Sequence, residues 1–170
     1  MRIWVRLGIL VVAVAIAAWI WWPQRGGDTG FRQGDMVVTA PWARATPGAI
    51  KIGAAYMTLI NRGTAPDRLI GARSDVAERV ELHTNMSQDG MMQMRPLDSV
   101  ALPPGQTVRF EPSGLHLMLV NLKAPLQEGT QFPLRVTFER AGTLEVQVTV
   151  GAVGASESPS HENHGGHQHH

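Results

Sequence analysis

The sequence predicts an all-β domain, a sandwich of short strands, preceded by a transmembrane helix. From about residue 35 to residue 150 the apolar residues show no helical period, whereas short β-rich runs recur between turn signals. Some runs alternate apolar and polar residues, as from Leu144 to Val148, which is typical of an antiparallel sheet with one wet face. Nine such runs indicate a sandwich. The predicted strands are Met36 to Ala45, Ala54 to Asn61, Asp67 to Arg73, Arg79 to Thr84, Met91 to Leu97, Gln106 to Glu111, His116 to Leu122, Phe132 to Glu139 and Thr143 to Val150.

The N-terminal segment predicts a membrane span. Arg2 and Arg6 stand at the start of an almost uninterrupted apolar run, and residues 3–22 supply about the 20 residues that a membrane-spanning helix needs. Because positive charge favours the cytoplasmic side, we expect the chain beyond this helix in the periplasm. A cleaved signal peptide is the alternative, since Ala-Ile-Ala at residues 15–17 resembles a cleavage site. Cleavage there would leave a mature chain that begins with the apolar AWIWW, which favours an uncleaved anchor.

Composition divides the chain into four parts. Residues 1–25 form the predicted anchor, and residues 26–34 are Gly-rich and polar, which indicates a flexible linker. Residues 35–152 hold all the predicted strands and form the folded domain. Residues 153–170 contain almost nothing apolar and are expected to be a disordered tail.

Charge and residue usage exclude several functional classes. The net charge is +1, and the 15 Lys and Arg are scattered among 14 Asp and Glu, so no basic stripe is present to bind nucleic acid. The absence of cysteine removes disulfides, zinc ribbons, thiol catalysis and the Cys ligand of a blue-copper site. No polar triad or pair of carboxylates indicates substrate chemistry, so we do not expect an enzyme.

Two histidines lie in the predicted folded domain, and both are near methionines. His116 and Met118 are two residues apart on a strand, so their side chains project from the same face. Met92 and Met94 have the same relation on another strand. His83 ends the strand before it, and a hairpin at Asp89-Gly90 would fold His83 back beside Met94.

Thioether sulfur and imidazole together suit one metal ion. Thioethers are soft and polarizable, so they favour Cu(I), and imidazole is a stronger donor that Cu(I) also accepts. The alternatives are a hydrogen-bonded structural role for each histidine and core packing for each methionine. Met36, Met57 and Trp42 are predicted to pack in the core. For Met86, Met91 and Met92 the sequence leaves core packing and a soft exposed lip open.

The tail predicts a second kind of metal site. An imidazole-rich segment without thioethers favours Cu(II), Ni(II) or Zn(II) over Cu(I), so a loose Cu(II) site is expected. A solvated end and a residual purification tag are the alternatives. The histidines concerned are His161, His164, His167, His169 and His170.

The spacing of the domain ligands resembles a known family. His83, ten residues, Met94, twenty-one residues, His116, one residue and Met118 match the H-x10-M-x21-H-x-M signature of the periplasmic PCu(A)C copper chaperones. The resemblance covers about residues 37–150. It extends to the segments PWARATPG (41–48), AAYMTLINRG (54–63), DRLIGA (67–72), VELH (80–83), MRPL (94–97) and GLHLMLVNLKAPLQEG (114–129).

The resemblance implies a cupredoxin-like Greek-key sandwich that binds one Cu(I) through these four residues without enzymatic turnover. It also implies delivery of copper to the CuA centre of cytochrome c oxidase, often in company with a Sco-type protein. Two other functions stay open at this point. One is a periplasmic copper buffer or resistance protein, and the other is a metal-free β-sandwich interaction module.

Overall fold

The structure is a computed structural model that describes residues 30–88 and 91–159. The predicted membrane helix at residues 3–22 and the five tail histidines lie outside the described residues. In the described ranges there is no helix of the length and hydropathy needed to cross a membrane. These ranges form eleven strands: β1 (Phe31–Gln33), β2 (Met36–Arg44), β3 (Ile52–Asn61), β4 (Asp67–Arg73), β5 (Ala77–Gln88), β6 (Met91–Leu97), β7 (Val100–Leu102), β8 (Thr107–Phe110), β9 (Leu115–Leu122), β10 (Gln131–Phe138) and β11 (Gly142–Gly151).

Each of the nine predicted strands has a counterpart, and β1 and β7 are additional. β1 occupies Phe31–Gln33, which the sequence assigns to the flexible linker, so that assignment is wrong for these three residues. The reason is pairing: β1 runs antiparallel to β2, with Phe31 opposite Val38, and Phe31 packs partly buried against the core. β5 is also longer than predicted, since it continues past Thr84 to Gln88.

The strands form one all-β sheet that closes on itself. Its order is β6-β5-β9-β8-β3-β2-β11-β10-β4-β7, and β3 also pairs with β9. A single antiparallel pair, Ala72 with Val80, joins β4 to β5 and closes the circuit. β6 remains outside this circuit, paired with β5, and its residues 91–96 are all exposed. β6 is therefore an edge strand, which is where Pro96 is tolerated within a sheet.

Alternation from His116 to Val120 of β9 separates the core from the outer face. Leu117 and Leu119 are fully buried in the core, and Leu82 of β5 joins them there. Because successive side chains of a strand point to opposite faces, the residues on either side of Leu117 leave the core. Met36 and Met57 are buried, which confirms their predicted place in the core.

The chain just after β11 returns to the outer face of the sheet. Arg44 Nε donates a hydrogen bond to the carbonyl oxygen of Ala155 at 2.6 Å, and Ser158 is buried. The described chain thus remains packed to residue 159, beyond the predicted domain end at residue 152. This packing places Val153 and Gly154 beside a cavity on the outer face.

Candidate metal site

The pairing of β5 with β9 brings the two domain histidines together. The strands are antiparallel, and the register sets His83 directly opposite His116. Their ring centroids are 5.8 Å apart with planes tilted by 34°. Residues paired across a sheet share a face, so both imidazoles lie on the outer face of the barrel wall. The prediction that His83 ends a strand is wrong, because β5 continues for five residues beyond it.

The two candidate methionines share that face. Met118 lies opposite Glu81, and Met94 of β6 lies opposite Asn85. Since Glu81 and Asn85 are each two residues from His83, period-2 alternation puts all of these side chains on one side. Met94 is therefore diagonal to His83, whose direct partner on β6 is Pro96. The pairing of β5 with β6 brings the two predicted ligands together, with an offset of two residue pairs along the ladder.

β6 and β9 lie on either side of β5, and the distance between them determines how side chains from both strands could contact one ion. β6, β5 and β9 are consecutive in the sheet, so the backbones that carry Met94 and His116 lie about 10 Å apart, two strand spacings. The flexible side chain of methionine can lean over β5 and shorten this gap. The space above β5, between the two histidines and the two thioethers, is therefore the candidate site.

An open cavity of about 310 Å³ adjoins this space. Met94, His116 and Met118 all contribute to its wall, whereas His83 does not. Three exposed aliphatic side chains also line the cavity: Ile50, Ile52 and Val153. Residues 45–47 form one wall of the cavity. The loop between β9 and β10 supports this wall, because Thr46 Oγ1 accepts a hydrogen bond from the backbone N–H of Leu126 at 2.9 Å.

Both imidazoles are almost withdrawn from solvent, with 7% of His83 and 4% of His116 exposed. In His116, Nδ1 donates a hydrogen bond to the carbonyl oxygen of Gly114 at 3.1 Å, which leaves the lone pair on Nε2. Burial lowers the pKa of His116, the hydrogen bond to Gly114 offsets part of this, and the nearby His83 ring lowers it further. The ring therefore stays neutral, and able to bind a metal, at a lower pH than a free histidine.

His83 has one partnered ring nitrogen and one without a partner. Nε2 lies 3.0 Å from Glu81 Oε2, and this hydrogen bond, followed by one from Arg79, lowers the pKa of the Glu81 carboxyl. Nδ1 is buried, and among the described residues it has no hydrogen-bond partner. A buried nitrogen without a partner is costly and demands an explanation. A bound metal ion supplies one.

The donor set around the pair of imidazoles is soft. The described ranges contain no group of three or more His, Cys, Asp or Glu side chains that could hold a metal. The further donors on this face are the thioethers of Met94 and Met118 and the Glu81 carboxylate, whose two oxygens are already hydrogen-bonded to His83 and Arg79. Two imidazoles with two thioethers, next to an apolar cavity, fit Cu(I) better than they fit zinc or magnesium.

The family of this chain is shown by comparison with known proteins. Residues 36–150 match the family described as "Putative lipoprotein LpqE-like", which is the family of PCuAC domains. The chain belongs to the LpqE-like family. A protein of Leifsonia xyli described as "Putative lipoprotein Lxx21020" is 30% identical over 148 residues, which are 86% of this chain and 84% of that one. The resemblance to the family of PCuAC domains is thereby confirmed.

Solved structures of PCuAC domains resemble this LpqE-like chain over most of its length. The copper-bound PCuAC domain of PmoF2 is 28% identical and has a TM-score of 0.63, with 72% of this chain and 97% of that domain covered. The Cu(I) form of DR1885 from Deinococcus radiodurans is 30% identical with a TM-score of 0.53, and the match covers 76% and 85% of the two chains. The all-β, cupredoxin-like fold is therefore that of PCuAC domains.

Three further methionines of the LpqE-like domain are exposed on β5 and β6, and of these only Met92 shares the face of the site. Met86, Met91 and Met92 are 50% to 64% exposed, which excludes the core packing that the sequence left open. Met92 shares the face of Met94 but lies opposite Ser87, two residue pairs further from His83. Of these two methionines, Met94 is the one that lines the cavity with His116 and Met118.

Two parts of the site escaped prediction from sequence. The covering segments around residues 45–50 and 153–154 carry no metal-binding residue type, so nothing in their composition marks them. Glu81 carries a signal that could have found it. It precedes His83 by two residues on a strand, the same relation that led from His116 to Met118.

Proposed function

We propose that this protein is a periplasmic copper chaperone that binds one Cu(I) through His83, Met94, His116 and Met118. Its function is binding and transfer, without enzymatic turnover. The observation that carries the proposal is the convergence of these four residues on one outer face, where His83 Nδ1 is buried with no hydrogen-bond partner in the described part of the chain. Copper-bound forms of two related domains support the choice of metal.

The exposure of the ligands suits transfer. The histidines are buried beside the core, whereas Met94 is half exposed on an edge strand. A thioether is a weak, neutral donor, so an incoming ligand can replace Met94 while the two imidazoles still hold the ion. Such stepwise exchange lets copper pass to a partner without being released to water.

We propose that the domain works outside the cytoplasm, anchored to the inner membrane by residues 3–22. The apolar N-terminal run and its two preceding charges support this location. The lipoprotein description of the family and of the Leifsonia xyli relative agrees with a membrane-associated, extracytoplasmic place. The recipients that we propose are the apo CuA domain of cytochrome c oxidase and a Sco-type copper protein.

A transfer assay tests delivery against storage. The Cu(I)-loaded domain is mixed under anaerobic conditions with an apo CuA domain or an apo Sco-type protein, and copper in each protein is measured after separation. Delivery predicts that most of the copper moves to the recipient, and that it moves faster than from a chelator buffered at the same free Cu(I). Copper that stays with the domain would instead indicate a buffer or resistance protein. A domain that never binds Cu(I) would indicate a metal-free interaction module.

The tail prediction is tested by a short truncation. We propose that His161, His164, His167, His169 and His170 form a loose Cu(II) site. Removing residues 160–170 is expected to abolish Cu(II) uptake and leave Cu(I) affinity unchanged. The cut follows Pro159 because Ala155 and Ser158 pack against the domain.

A full-length variant with the five tail histidines changed to glutamine is the matched control for tail length. Copper(II) stoichiometry is measured by equilibrium dialysis and metal analysis. If the truncated protein takes up as much Cu(II) as the full chain, the tail site does not exist.

A further inference from the structure

We propose that Glu81 is a positioning residue that makes His83 present Nδ1 to copper, whereas His116 presents Nε2. This inference rests on the Cu(I) site proposed above and adds the atoms that serve as ligands. It also adds a fifth residue to the site, one that does not touch the metal.

The hydrogen bond between Glu81 and His83 determines where the ring proton lies. A carboxylate only accepts hydrogen bonds, so the nitrogen 3.0 Å from Glu81 Oε2, which is Nε2, carries the hydrogen. In the neutral imidazole the lone pair is then on Nδ1. Nδ1 is buried and, within the described ranges, has no hydrogen-bond partner. Nδ1, the ring nitrogen that does not bond to Glu81, is thus the one that carries the lone pair and has no partner among the described residues.

Glu81 is itself held in position. Arg79 Nε donates to Glu81 Oε1 at 3.1 Å, so each carboxylate oxygen has its own donor. Arg79, Glu81 and His83 follow one another at intervals of two residues on β5 and therefore share the face of the site. The register also places Glu81 opposite Met118, next to the second thioether.

His116 is oriented by a different group and in the opposite sense. Its Nδ1 donates to the carbonyl oxygen of Gly114, which leaves Nε2 as the donor atom for a metal. The two rings lie 5.8 Å apart in paired positions, and each has one nitrogen bonded to a protein acceptor, Nε2 in His83 and Nδ1 in His116. Opposite tautomers give the pair two different nitrogens with which to reach a shared ion.

The expected size of the effect follows from metal sites in general. Histidine ligands usually donate their second ring N–H to a carboxylate or carbonyl, and loss of that partner lowers metal affinity by about 10- to 100-fold. We therefore expect Glu81→Ala to weaken Cu(I) binding by about 10- to 100-fold. Glu81→Gln keeps an acceptor oxygen in the same place and should restore part of the affinity.

The tautomer is measured without copper. The apo protein is labelled with 15N in its histidine rings, and the shifts of the ring nitrogens are recorded at a pH where the rings are neutral. In the wild type, His83 is expected to be protonated on Nε2 and His116 on Nδ1. Glu81→Ala is expected to move His83 to a mixture of tautomers, with His116 unchanged.

Glu145→Ala is the matched control. Glu145 also accepts from an arginine, Arg135 Nε at 2.8 Å, but on the exposed surface of β10 and β11. It should change neither the ring shifts nor Cu(I) affinity. Thermal unfolding of the variants checks that the domain stays folded, which the partial exposure of Glu81 favours.

Two results would overturn the role of Glu81. One is an unchanged tautomer of His83 in Glu81→Ala. The other is equal or tighter Cu(I) binding by that variant, because tighter binding would mean that Glu81 occupies the ligand nitrogen. A wild-type domain that fails to bind Cu(I) would reject the proposed function, and the ring shifts of the apo protein would still test Glu81.

Discussion

Replacing His116 with alanine is expected to lower Cu(I) affinity by more than about 100-fold, since loss of an outer partner of a ligand alone costs 10- to 100-fold. The change removes one of the two imidazoles and leaves the thioethers as weak donors beside His83. Met118→Ala should also weaken binding, by less, because a thioether is the weaker ligand. Affinity is measured by anaerobic titration of Cu(I) against a competing chelator.

Met91→Ala is the control for removing a methionine. Met91 is more than half exposed and pairs with Gln88, which places it on the opposite face of the hairpin from Met94. Its loss should leave Cu(I) affinity unchanged. Unaltered affinity in both His116→Ala and Met118→Ala would show that copper, if bound, is bound elsewhere.

The largest effect on stability is expected from Leu117→Ala, which changes the residue between the two β9 ligands. Leu117 is fully buried, and removal of its side chain leaves a cavity in the core. The expected loss is about 2–5 kcal/mol in the free energy of unfolding. Urea unfolding followed by circular dichroism measures it, with an unchanged slope as the sign that only stability has changed.

The comparison of Leu117→Ala with Met118→Ala tests the register of β9. At a temperature where both variants are folded, Leu117→Ala should retain Cu(I) affinity, and Met118→Ala should retain most of the stability. A shift of one residue in the pairing would move every side chain of the strand to the other face. The opposite pattern, with copper lost in Leu117→Ala and stability lost in Met118→Ala, would therefore refute the arrangement of the site.

The strand positions were predictable where local signals are strong. Asp67–Arg73 and Met91–Leu97 have the bounds that turn residues and β-rich composition predict. β1 was missed, because its three residues, Phe31–Gln33, are ordered by pairing with β2 and not by their own composition. The extension of β5 beyond Thr84 was missed for the same reason, since its last residues are ordered through β6.

The site was predictable in its residue types and only partly in its geometry. Softness of donors depends on chemistry alone, so methionine and histidine indicate Cu(I) without any structure. The exposure of Met86, Met91 and Met92 was not predictable, because an apolar side chain on a strand faces the core or solvent according to what covers it. The edge position of β6 leaves these methionines uncovered.

The face that each ligand occupies along its own strand follows from the amino-acid sequence alone. His116 and Met118 share a face and Leu117 opposes them, because alternation is a local property of an extended chain. The position of His83 opposite His116, thirty-three residues later, depends on the folded barrel, since strand pairing follows from how the whole barrel closes. The same closure placed Glu81 against one nitrogen of His83 and left the other without a partner in the described residues.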